Sequence, residues 1–214
     1  MVEGSVDKGY SWAMKHEELI VLVNDAGDPT GTAEKLMSHH GSTPLHLGFS
    51  CFIFNRRGEL LITQRALVKK VWPGVWTNSV CGHPGPNESM EDAIRRRLDY
   101  ELGMRAMDLV CALPDYRYQA PPFQGIVENE ICPVYLGCTS DEPKPNREEV
   151  AAYQWVSWKD FLSSIKKRPE RYSYWSIDEA RSLSRHPLMQ DYSACAKSCP
   201  GDPSSCRNDG NEPK

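Results

Sequence analysis

The sequence lacks the features of a membrane protein and of a nucleic-acid-binding protein. Its longest apolar run is LIVLV at 19–23, far shorter than the roughly 20 residues that a membrane-spanning helix needs. The first residues contain no basic stretch followed by an apolar one, so we expect no signal peptide. No block of basic residues occurs and the net charge is −4, so charge gives no indication of a nucleic-acid partner. We therefore expect a cytoplasmic protein that binds neither membranes nor nucleic acid.

Cysteines at the short spacing of a tetrahedral zinc site are also missing. Five of the 8 cysteines lie in apolar, strand-like segments, and the other three are Cys195, Cys199 and Cys206. In a cytosolic chain of this length we expect reduced and mostly buried thiols. The segment CAKSCPGDPSSC at 195–206 resembles a loose metal or disulfide tract, but its content of Pro, Gly and Ser favours a disordered tail.

Length and composition predict one domain with an extension at each end. The chain has 214 residues, of which 40% are apolar, which is enough for one substantial core. We expect a flexible N-terminal arm over 1–17, a folded domain over 18–192 and a disordered cysteine-containing tail over 193–214. The sequence leaves open whether the protein is a monomer or a weak dimer.

The pattern of apolar residues predicts an α+β domain. Residues 31–46 are polar and irregular, and a loop of that length is usually functional or disordered. A helix is expected over 87–103, capped by Asn87 or Ser89 and ended by Gly103, and two more over 158–167 and 176–185. This order of strands and helices favours a mixed sheet between helices. The predicted strands cover 18–24, 47–55, 59–64, a short strand within 72–81, then 109–113, 116–120, 125–135 and 153–156.

The segment GIVENEICPVYLG at 125–137 places two carboxylates on one face of a strand. Glu128 and Glu130 alternate with apolar or amide residues, so both point the same way. A solvated edge strand would explain this pattern, but the continuation ICPVYL looks buried. Two glutamates that face an apolar interior must be neutral, paired or bound to a cation.

Histidines supply further candidate ligands for a metal ion. Cys81 and His83 share a strand face, and His39, His40 and His46 lie in the polar segment over 31–46. Three or four imidazoles with two carboxylates can enclose a divalent ion such as Mn²⁺ or Zn²⁺. These residues come from three separate segments, so the sequence alone does not establish that they meet.

The predicted helix over 87–103 resembles the Nudix box in spacing but not in all of its chemistry. Arg97 and Tyr100 stand where Nudix hydrolases have glutamates that hold Mg²⁺ ions around a diphosphate. Their loss should cripple hydrolysis while Glu101 still offers one Mg²⁺ ligand. Arg97 lies one turn before Glu101, where a cation suits a diphosphate that is held and not cut. The residues that keep the spacing are Gly82, Glu88, Arg96, Glu101 and Gly103.

Several longer motifs of the sequence are specific enough to compare with a known family. The most specific are NSVCGHP at 78–84 and GIVENE at 125–130. Others are PTGTAEK at 29–35, LHLGFS at 45–50, ITQRALVKKVWPGVWT at 62–77 and YRY at 116–118. Together they resemble type 1 isopentenyl diphosphate isomerase, a family with the Nudix fold, and in particular its bacterial members. The resemblance implies a Nudix-type α/β/α sandwich and a reversible shift of a double bond that converts isopentenyl diphosphate into dimethylallyl diphosphate, a step of isoprenoid biosynthesis.

The same resemblance assigns roles to residues of this sequence. Cys81 and Glu130 map onto the catalytic cysteine and glutamate, with Tyr118 nearby, and Trp175 maps onto a tryptophan over the hydrocarbon end of the substrate. His40 has no counterpart. A Mg²⁺ ion that accompanies the diphosphate would be held by Glu101 and the backbone carbonyl of Cys81. One divalent cation, Mn²⁺ or Zn²⁺, would be held by His39, His46, His83, Glu128 and Glu130. The diphosphate would contact Lys35, Arg65, Lys69 and Arg97.

The chemistry of the implied reaction agrees with these residue types. Protonation of an alkene gives a carbocation-like species, so the site needs an acid, a base and the exclusion of water. A metal-bound Glu130 with Tyr118 can donate the proton, and Cys81 can accept one as a thiolate, a form that nearby cations favour. The indole face of Trp175 can stabilise the cation by up to about 2 kcal/mol.

Two other functions are compatible with parts of the sequence. A Nudix diphosphohydrolase of a nucleoside diphosphate derivative would explain the spacing of the box, but not Arg97, Tyr100 or the histidines. A degenerate Nudix module that only binds a ligand would have no need for Cys81, Glu130 and Tyr118 together.

Overall fold

The computed structural model describes residues 18–189 and residue 192. The arm predicted over 1–17 and the tail predicted over 193–214 lie outside these residues. The helices are α1 (Lys35–Ser38), α2 (Met90–Leu102), α3 (Trp158–Lys167) and α4 (Tyr174–Leu183), with a 3₁₀ helix at Pro169–Arg171. The strands are β1 (Leu19–Val23), β2 (Pro29–Glu34), β3 (His46–Leu47), β4 (Phe49–Asn55), β5 (Glu59–Arg65), β6 (Trp76–Thr77), β7 (Val80–Gly82), β8 (Met107–Leu113), β9 (Arg117–Gln119), β10 (Asn129–Ile131), β11 (Val134–Thr139) and β12 (Val150–Ser157).

The strands form a small and a large mixed sheet. The small sheet has the order β2-β1-β3-β10-β9, and β3 and β10 are its parallel pair. The large sheet has the order β12-β5-β4-β11-β8, with β4 and β11 parallel, β6 added to β5 and β7 added to β4. The predicted α+β fold with a mixed sheet is therefore confirmed.

Helices cover both faces of the large sheet, as the period of two along β4 requires. Cys51 and Ile53 belong to one buried cluster, which also contains Ile94 and Leu98 of α2. Phe52 and Phe54 belong to another, which includes buried residues of α3 and α4. Strand β4 is thus buried on both faces, with α2 on one side of the large sheet and α3 and α4 on the other, as the predicted α/β/α sandwich requires.

Two strands of the small sheet continue directly into strands of the large one. Gly48 separates β3 from β4, and Cys132 with Pro133 separates β10 from β11. The single strand predicted over 125–135 is therefore wrong, because Pro133 lacks a backbone N–H and interrupts the ladder. The chain changes sheet at this point, and we call the junction between the two sheets the seam. The residues that precede it, including Glu130, face the space where the sheets meet.

The irregular loop predicted over 31–46 is also wrong. Residues up to Glu34 pair with β1 as strand β2, and Lys35 begins the short helix α1. The segment carries only scattered apolar residues, so periodicity gave no signal, and the strand arises from pairing with its neighbour. Only the residues from His39 to Leu45 connect elements without regular structure.

The helix predictions hold with small changes at the ends. Ser89 caps α2 by accepting a hydrogen bond from the Asp92 backbone N–H, and Gly103 ends it with φ of 59°, a conformation that favours glycine. The third predicted helix begins two residues early, because the Ser173 hydroxyl accepts from the Ser176 N–H and caps α4. No helix within the described ranges has the length and apolar character needed to cross a bilayer.

Candidate active site at the seam between the sheets

Three histidine side chains meet at the seam. His39 follows α1, His46 lies on β3 and His83 follows β7. Their ring centroids are separated by 5.2, 5.4 and 4.9 Å, and the Nε2 atoms of His46 and His83 are 3.1 Å apart. His40 is exposed, and its ring accepts a hydrogen bond from the Ser42 backbone N–H. It takes no part in this cluster.

Backbone carbonyls fix the orientation of two of these rings. His39 Nδ1 lies 2.6 Å from the Lys35 carbonyl oxygen, and His46 Nδ1 lies 2.9 Å from that of Pro44. A carbonyl only accepts, so Nδ1 carries the hydrogen in both rings, and Nε2 of each neutral ring is left with a lone pair. Both lone pairs point into the cluster, which is the arrangement of metal-binding histidines.

Two glutamates close the cluster, as the alternation of GIVENE predicts. Glu130 Oε1 lies 3.0 Å from His83 Nε2 and 3.4 Å from His46 Nε2. Its other oxygen accepts a hydrogen bond of 3.1 Å from the Tyr118 hydroxyl. Glu128 Oε2 lies 3.3 Å from His39 Nε2. Both glutamates are buried, so the alternative of a solvated edge strand is wrong.

The cluster sets the protonation states of its members. Burial alone would raise the pKa of Glu130, but His46 and His83 lower it well below its usual range. Burial lowers the pKa of His83 to about 3, against the opposing effect of Glu130. Burial acts in the same sense on His46, but hydrogen bonding and charge from Glu130 outweigh it and raise its pKa. An ionised Glu130 and a neutral His83 are the forms that a metal ion requires.

The donor set fits a divalent cation. Ligand atoms of His39, His46 and His83 lie within 4.8 Å of one another, as do those of His46, Glu128 and Glu130. Glu128 Oε2 is buried and has no hydrogen-bond partner among the described residues, which is costly without a cation. Imidazole together with carboxylate suits Zn²⁺ or Mn²⁺ better than it suits Ca²⁺.

A group of buried aromatic side chains, which we call the aromatic pocket, lies next to the histidine cluster. Tyr118, Trp72 and Trp175 form a buried group against which Cys81 and Phe123 pack. The Trp72 ring stacks on Phe123 at 4.4 Å and meets the Trp175 ring edge-on at 5.4 Å. Apart from a thiol and a phenol these side chains are apolar, so their surroundings favour a hydrocarbon chain over water.

Cys81 carries its proton in this environment. Burial raises the pKa of its thiol to about 12, and the nearby Arg65 offsets only part of this effect. The guanidinium Nη1 of Arg65 lies 4.0 Å from Cys81 Sγ. Nearby cations do favour the thiolate, as expected, because Arg65 and Lys69 lower the pKa of Cys81, but desolvation is the larger effect and keeps the thiol protonated.

A second cluster combines cations with carboxylates. Arg97 contacts Glu101 at 2.6 Å, Glu149 at 3.1 Å and Glu18 at 3.1 Å. Lys35 pairs with Glu18 at 2.5 Å, and Lys69 pairs with Glu149. Three of the four cations predicted to bind a diphosphate are thus joined through shared acidic partners. One of the acidic partners of Arg97 is Glu101, the predicted Mg²⁺ ligand.

The fourth cation, Arg65, connects this region to the aromatic pocket. Its guanidinium donates hydrogen bonds to the carbonyls of Val71 and Trp72. It also lies 5.8 Å from the centre of the Trp175 ring, within the range of a cation–π contact. A charged headgroup bound near Arg65 would therefore place an attached apolar chain beside Trp175.

Comparisons with known proteins agree with this geometry. A model of the NUDIX domain matches residues 44–176. A protein of Saccharopolyspora erythraea named isopentenyl-diphosphate Delta-isomerase is 51% identical over 166 residues, which are 78% of this chain and 86% of that protein. One of the same name from Kocuria rhizophila is 46% identical over 164 residues, 77% of this chain and 91% of that protein.

The chain belongs to the isopentenyl-diphosphate Delta-isomerase family. The resemblance expected from NSVCGHP and GIVENE is confirmed, and both relatives are bacterial. The crystal structure of DR0079 from Deinococcus radiodurans aligns with a TM-score of 0.62 and 20% identity, over 78% of this chain and 100% of that one. At this identity the likeness concerns the fold alone.

Within the family fold, the altered Nudix box forms part of the scaffold. Glu88 accepts hydrogen bonds from Arg96 at 2.7 Å and from the backbone N–H of Gly85 at 2.7 Å. Tyr100 is half exposed, and the Arg97 guanidinium lies 5.1 Å from its ring centre. Arg97 therefore contacts both Tyr100 and Glu101, and neither Arg97 nor Tyr100 offers an extra carboxylate for a metal ion.

Sequence reasoning missed several residues that shape the site. Glu18 and Glu149 hold the cation cluster, but each is one of many charged residues in its segment, so neither stands out. Asn78 accepts a hydrogen bond of 3.3 Å from the Trp175 indole N–H. Its place in NSVCGHP was the available signal. Glu179, which is fully buried on α4, also went unnoticed because it reads as an ordinary helix residue.

Proposed function

We propose that this protein interconverts isopentenyl diphosphate and dimethylallyl diphosphate by adding a proton to one carbon and removing a proton from another. The family assignment supports the reaction, and one arrangement in the site carries the proposal. The Tyr118–Glu130 hydrogen-bonded pair and the Cys81 thiol border the same aromatic pocket. A simple binding module would have no use for two proton-carrying groups in an apolar pocket.

Cys81 and the Tyr118–Glu130 pair form the acid and the base of this proposal. Protonation of the double bond gives a tertiary carbocation-like intermediate, and loss of a proton from the other side gives the isomer. The two groups exchange roles when the reaction runs in reverse. The Trp175 ring stabilises the positive charge, and the closed aromatic walls exclude water that would trap it.

The cation cluster anchors the diphosphate at a distance from the reacting carbons. Lys35, Arg65, Lys69 and Arg97 supply the positive charge, and binding energy gained there holds the five-carbon chain in register. Glu101 and the Cys81 carbonyl would hold Mg²⁺, which neutralises part of the diphosphate charge. In the histidine cluster, Mn²⁺ or Zn²⁺ would keep Glu130 in position and polarise its carboxyl group. The ligands there would be His39, His46, His83, Glu128 and Glu130.

An assay with isopentenyl diphosphate, Mg²⁺ and no flavin tests the function. The expected result is conversion to an equilibrium mixture with dimethylallyl diphosphate and no release of phosphate. A protein that releases phosphate from nucleoside diphosphate derivatives, and leaves isopentenyl diphosphate unchanged, would be a hydrolase. Arg97 and Tyr100 argue against that outcome, because they stand where Nudix hydrolases have glutamates that hold Mg²⁺ ions.

The domain boundaries and cellular context remain part of the proposal. We infer that the isomerase domain covers 18–192, between the arm over 1–17 and the tail over 193–214. A cytoplasmic location, the absence of membrane and nucleic-acid partners, and a monomer or weak dimer stay predictions. The substrate class, a small diphosphate, follows from the family relationship and the cation cluster.

A further inference from the structure

A buried carboxyl group lies behind the reaction pocket and has no role in the mechanism above. Glu179 sits one helical turn after Trp175 on α4, so the two side chains share a face of the helix. Its side chain is fully buried. Neither of its oxygens has a hydrogen-bond partner among the described residues. A buried carboxylate without a partner is among the most costly groups in a protein interior, so the position needs an explanation.

The charged groups that act on Glu179 within the described part of the chain are acidic. The charges that act on it are those of Asp178 on its own helix and Glu130 on β10, and both are negative. No cation is among these influences. Its other titratable neighbours are Cys51 on β4, Cys132 after β10, Tyr116 before β9 and Tyr118 on β9.

The one favourable polar neighbour is a hydroxyl. Ser50 on β4 faces Glu179 closely enough to lower its pKa, but not in the geometry of a formed hydrogen bond. Burial dominates and raises the pKa of Glu179 to about 8. The hydroxyl of Ser50 in turn lies 3.8 Å from the Cys132 thiol. Polar groups therefore continue from Glu179 towards the strand that carries Glu130.

We propose that Glu179 is a positioning residue that must remain a neutral carboxylic acid for the reaction to proceed. A carboxylic acid can be held neutral in an apolar site, which avoids the cost of an unpaired buried carboxylate. An ionised Glu179 would be an unpaired buried charge one helical turn from Trp175, and the water or repacking needed to accommodate it would displace the Trp175 ring. This inference rests on the isomerase function proposed above.

The first test measures the protonation state directly and needs no activity. Infrared difference spectra of the metal-loaded protein, wild type minus Glu179→Gln, should show the carbonyl stretch of a protonated carboxylic acid. The band should disappear as the pH rises through about 8. A difference spectrum with only a carboxylate signal at neutral pH overturns the proposal, whether or not the protein is an isomerase.

Linkage gives a second readout that is independent of catalysis. The pKa of Glu179 is raised from 4.5 to about 8 in the folded protein, so the unfolded chain loses this proton first as the pH rises. The free energy of unfolding should therefore fall, relative to Glu179→Gln, between pH 4.5 and about 8 and stay level above that. Parallel stability curves for the two proteins would contradict a neutral Glu179.

The third test connects the protonation state to the reaction. The wild-type kcat should fall about tenfold per pH unit above the pKa of an essential neutral acid, while KM changes little because the diphosphate anchors are elsewhere. Glu179→Gln keeps a neutral side chain, so its kcat should stay level through the same range. The control Glu170→Gln removes an exposed carboxyl group of the 3₁₀ helix, and its profile should match that of the wild type.

A further variant covers the case in which Glu179→Gln does not fold. Ser50→Ala removes the hydroxyl that lowers the pKa of Glu179, so the decline in kcat should move to higher pH. An unchanged profile in Ser50→Ala, or a decline that persists in Glu179→Gln, overturns the role in catalysis. A wild type that converts no isopentenyl diphosphate at any pH overturns the proposed function instead, and the infrared result then still stands.

Discussion

Glu130 accepts a hydrogen bond of 3.1 Å from Tyr118, which is its direct partner across the β9–β10 ladder. On its other side Glu130 is in register with His46 of β3. Paired residues on neighbouring strands project to the same face at about 5 Å. Backbone pairing therefore places a phenol, a carboxylate and an imidazole in one row. The row runs from the aromatic pocket to the histidine cluster, so the proposed proton donor and the metal site share the Glu130 carboxyl group.

Tyr118→Phe should separate proton transfer from metal binding. The ring keeps its packing against Trp175, but Glu130 loses the phenol that donates to it, and we expect kcat to fall by about 10²-fold or more. Metal content and KM should stay near the wild-type values, because neither the histidines nor the diphosphate anchors change. Measurements of kcat, KM and bound metal test this, and an unaltered kcat would remove Tyr118 from the mechanism.

Cys81→Ala should leave a folded protein that binds the diphosphate but no longer isomerises it. Loss of a general acid or base costs about 10²–10⁴-fold in rate, and alanine is tolerated at a partly buried strand position. Turnover and the affinity for a non-reactive diphosphate analogue can be measured side by side. Cys111→Ala, a partly buried cysteine on β8, is the matched control and should keep full activity. Turnover of Cys81→Ala at the wild-type rate would contradict the assigned role.

The sequence predicted those parts of the fold and site that follow from local patterns. Helix α3 begins and ends where its apolar spacing predicts, and the alternation in GIVENE correctly placed Glu128 and Glu130 on one face. In contrast, β2 forms because its backbone pairs with β1. The local sequence of β2 contains no pattern that predicts this pairing. Pro133 indicates an interruption of the strand, but it lies inside an apolar run that reads as one continuous strand.

Contacts between residues that are distant in the sequence were the hardest property to predict from it. The family resemblance identified the cations, but it gave no indication that Glu18 and Glu149 hold Arg97 between them. The protonated state of Cys81 likewise depends on how much water the fold removes, which sequence spacing does not show. Long-range packing and desolvation decide such features, and both are properties of the folded protein.

Single changes in the histidine cluster should lower the metal content of the protein. Glu128→Ala and His83→Ala each remove one proposed ligand, and loss of a ligand from a mixed imidazole–carboxylate site weakens binding of Mn²⁺ or Zn²⁺. Elemental analysis after dialysis measures the bound ion. His40→Ala is the control, because that ring is exposed and lies outside the cluster. One ion at full occupancy in both ligand variants would contradict the proposed site.

Removal of Glu18 should change the stability of the protein only where that carboxyl group is ionised. Burial acts to raise its pKa, but Lys35 and Arg97 outweigh this and lower it from 4.5 to about 2. A depressed pKa adds stability above about pH 4.5, and this contribution disappears as the pH falls towards 2. The free energy of unfolding of Glu18→Gln should thus lie below that of the wild type at neutral pH and approach it in acid. A difference that is constant with pH would show that packing, and not charge, is responsible.

Gly48→Ala should destroy the site while the fold persists. Gly48 marks the seam between β3 and β4, and a Cβ atom added there would lie 2.3 Å from Glu130 Oε2. Its backbone shows no positive φ, so alanine is excluded by the glutamate and not by backbone strain. The carboxyl group must move away from Tyr118 and the histidines, and we expect lower metal content and a fall in kcat of about 10²-fold or more.

Gly41→Ala is the matched control, because the nearest atom to its added Cβ is 3.5 Å away. Circular dichroism, metal analysis and turnover together check this expectation. A Gly48→Ala protein with full metal content and wild-type turnover would mean that Glu130 can leave its observed position without loss of function.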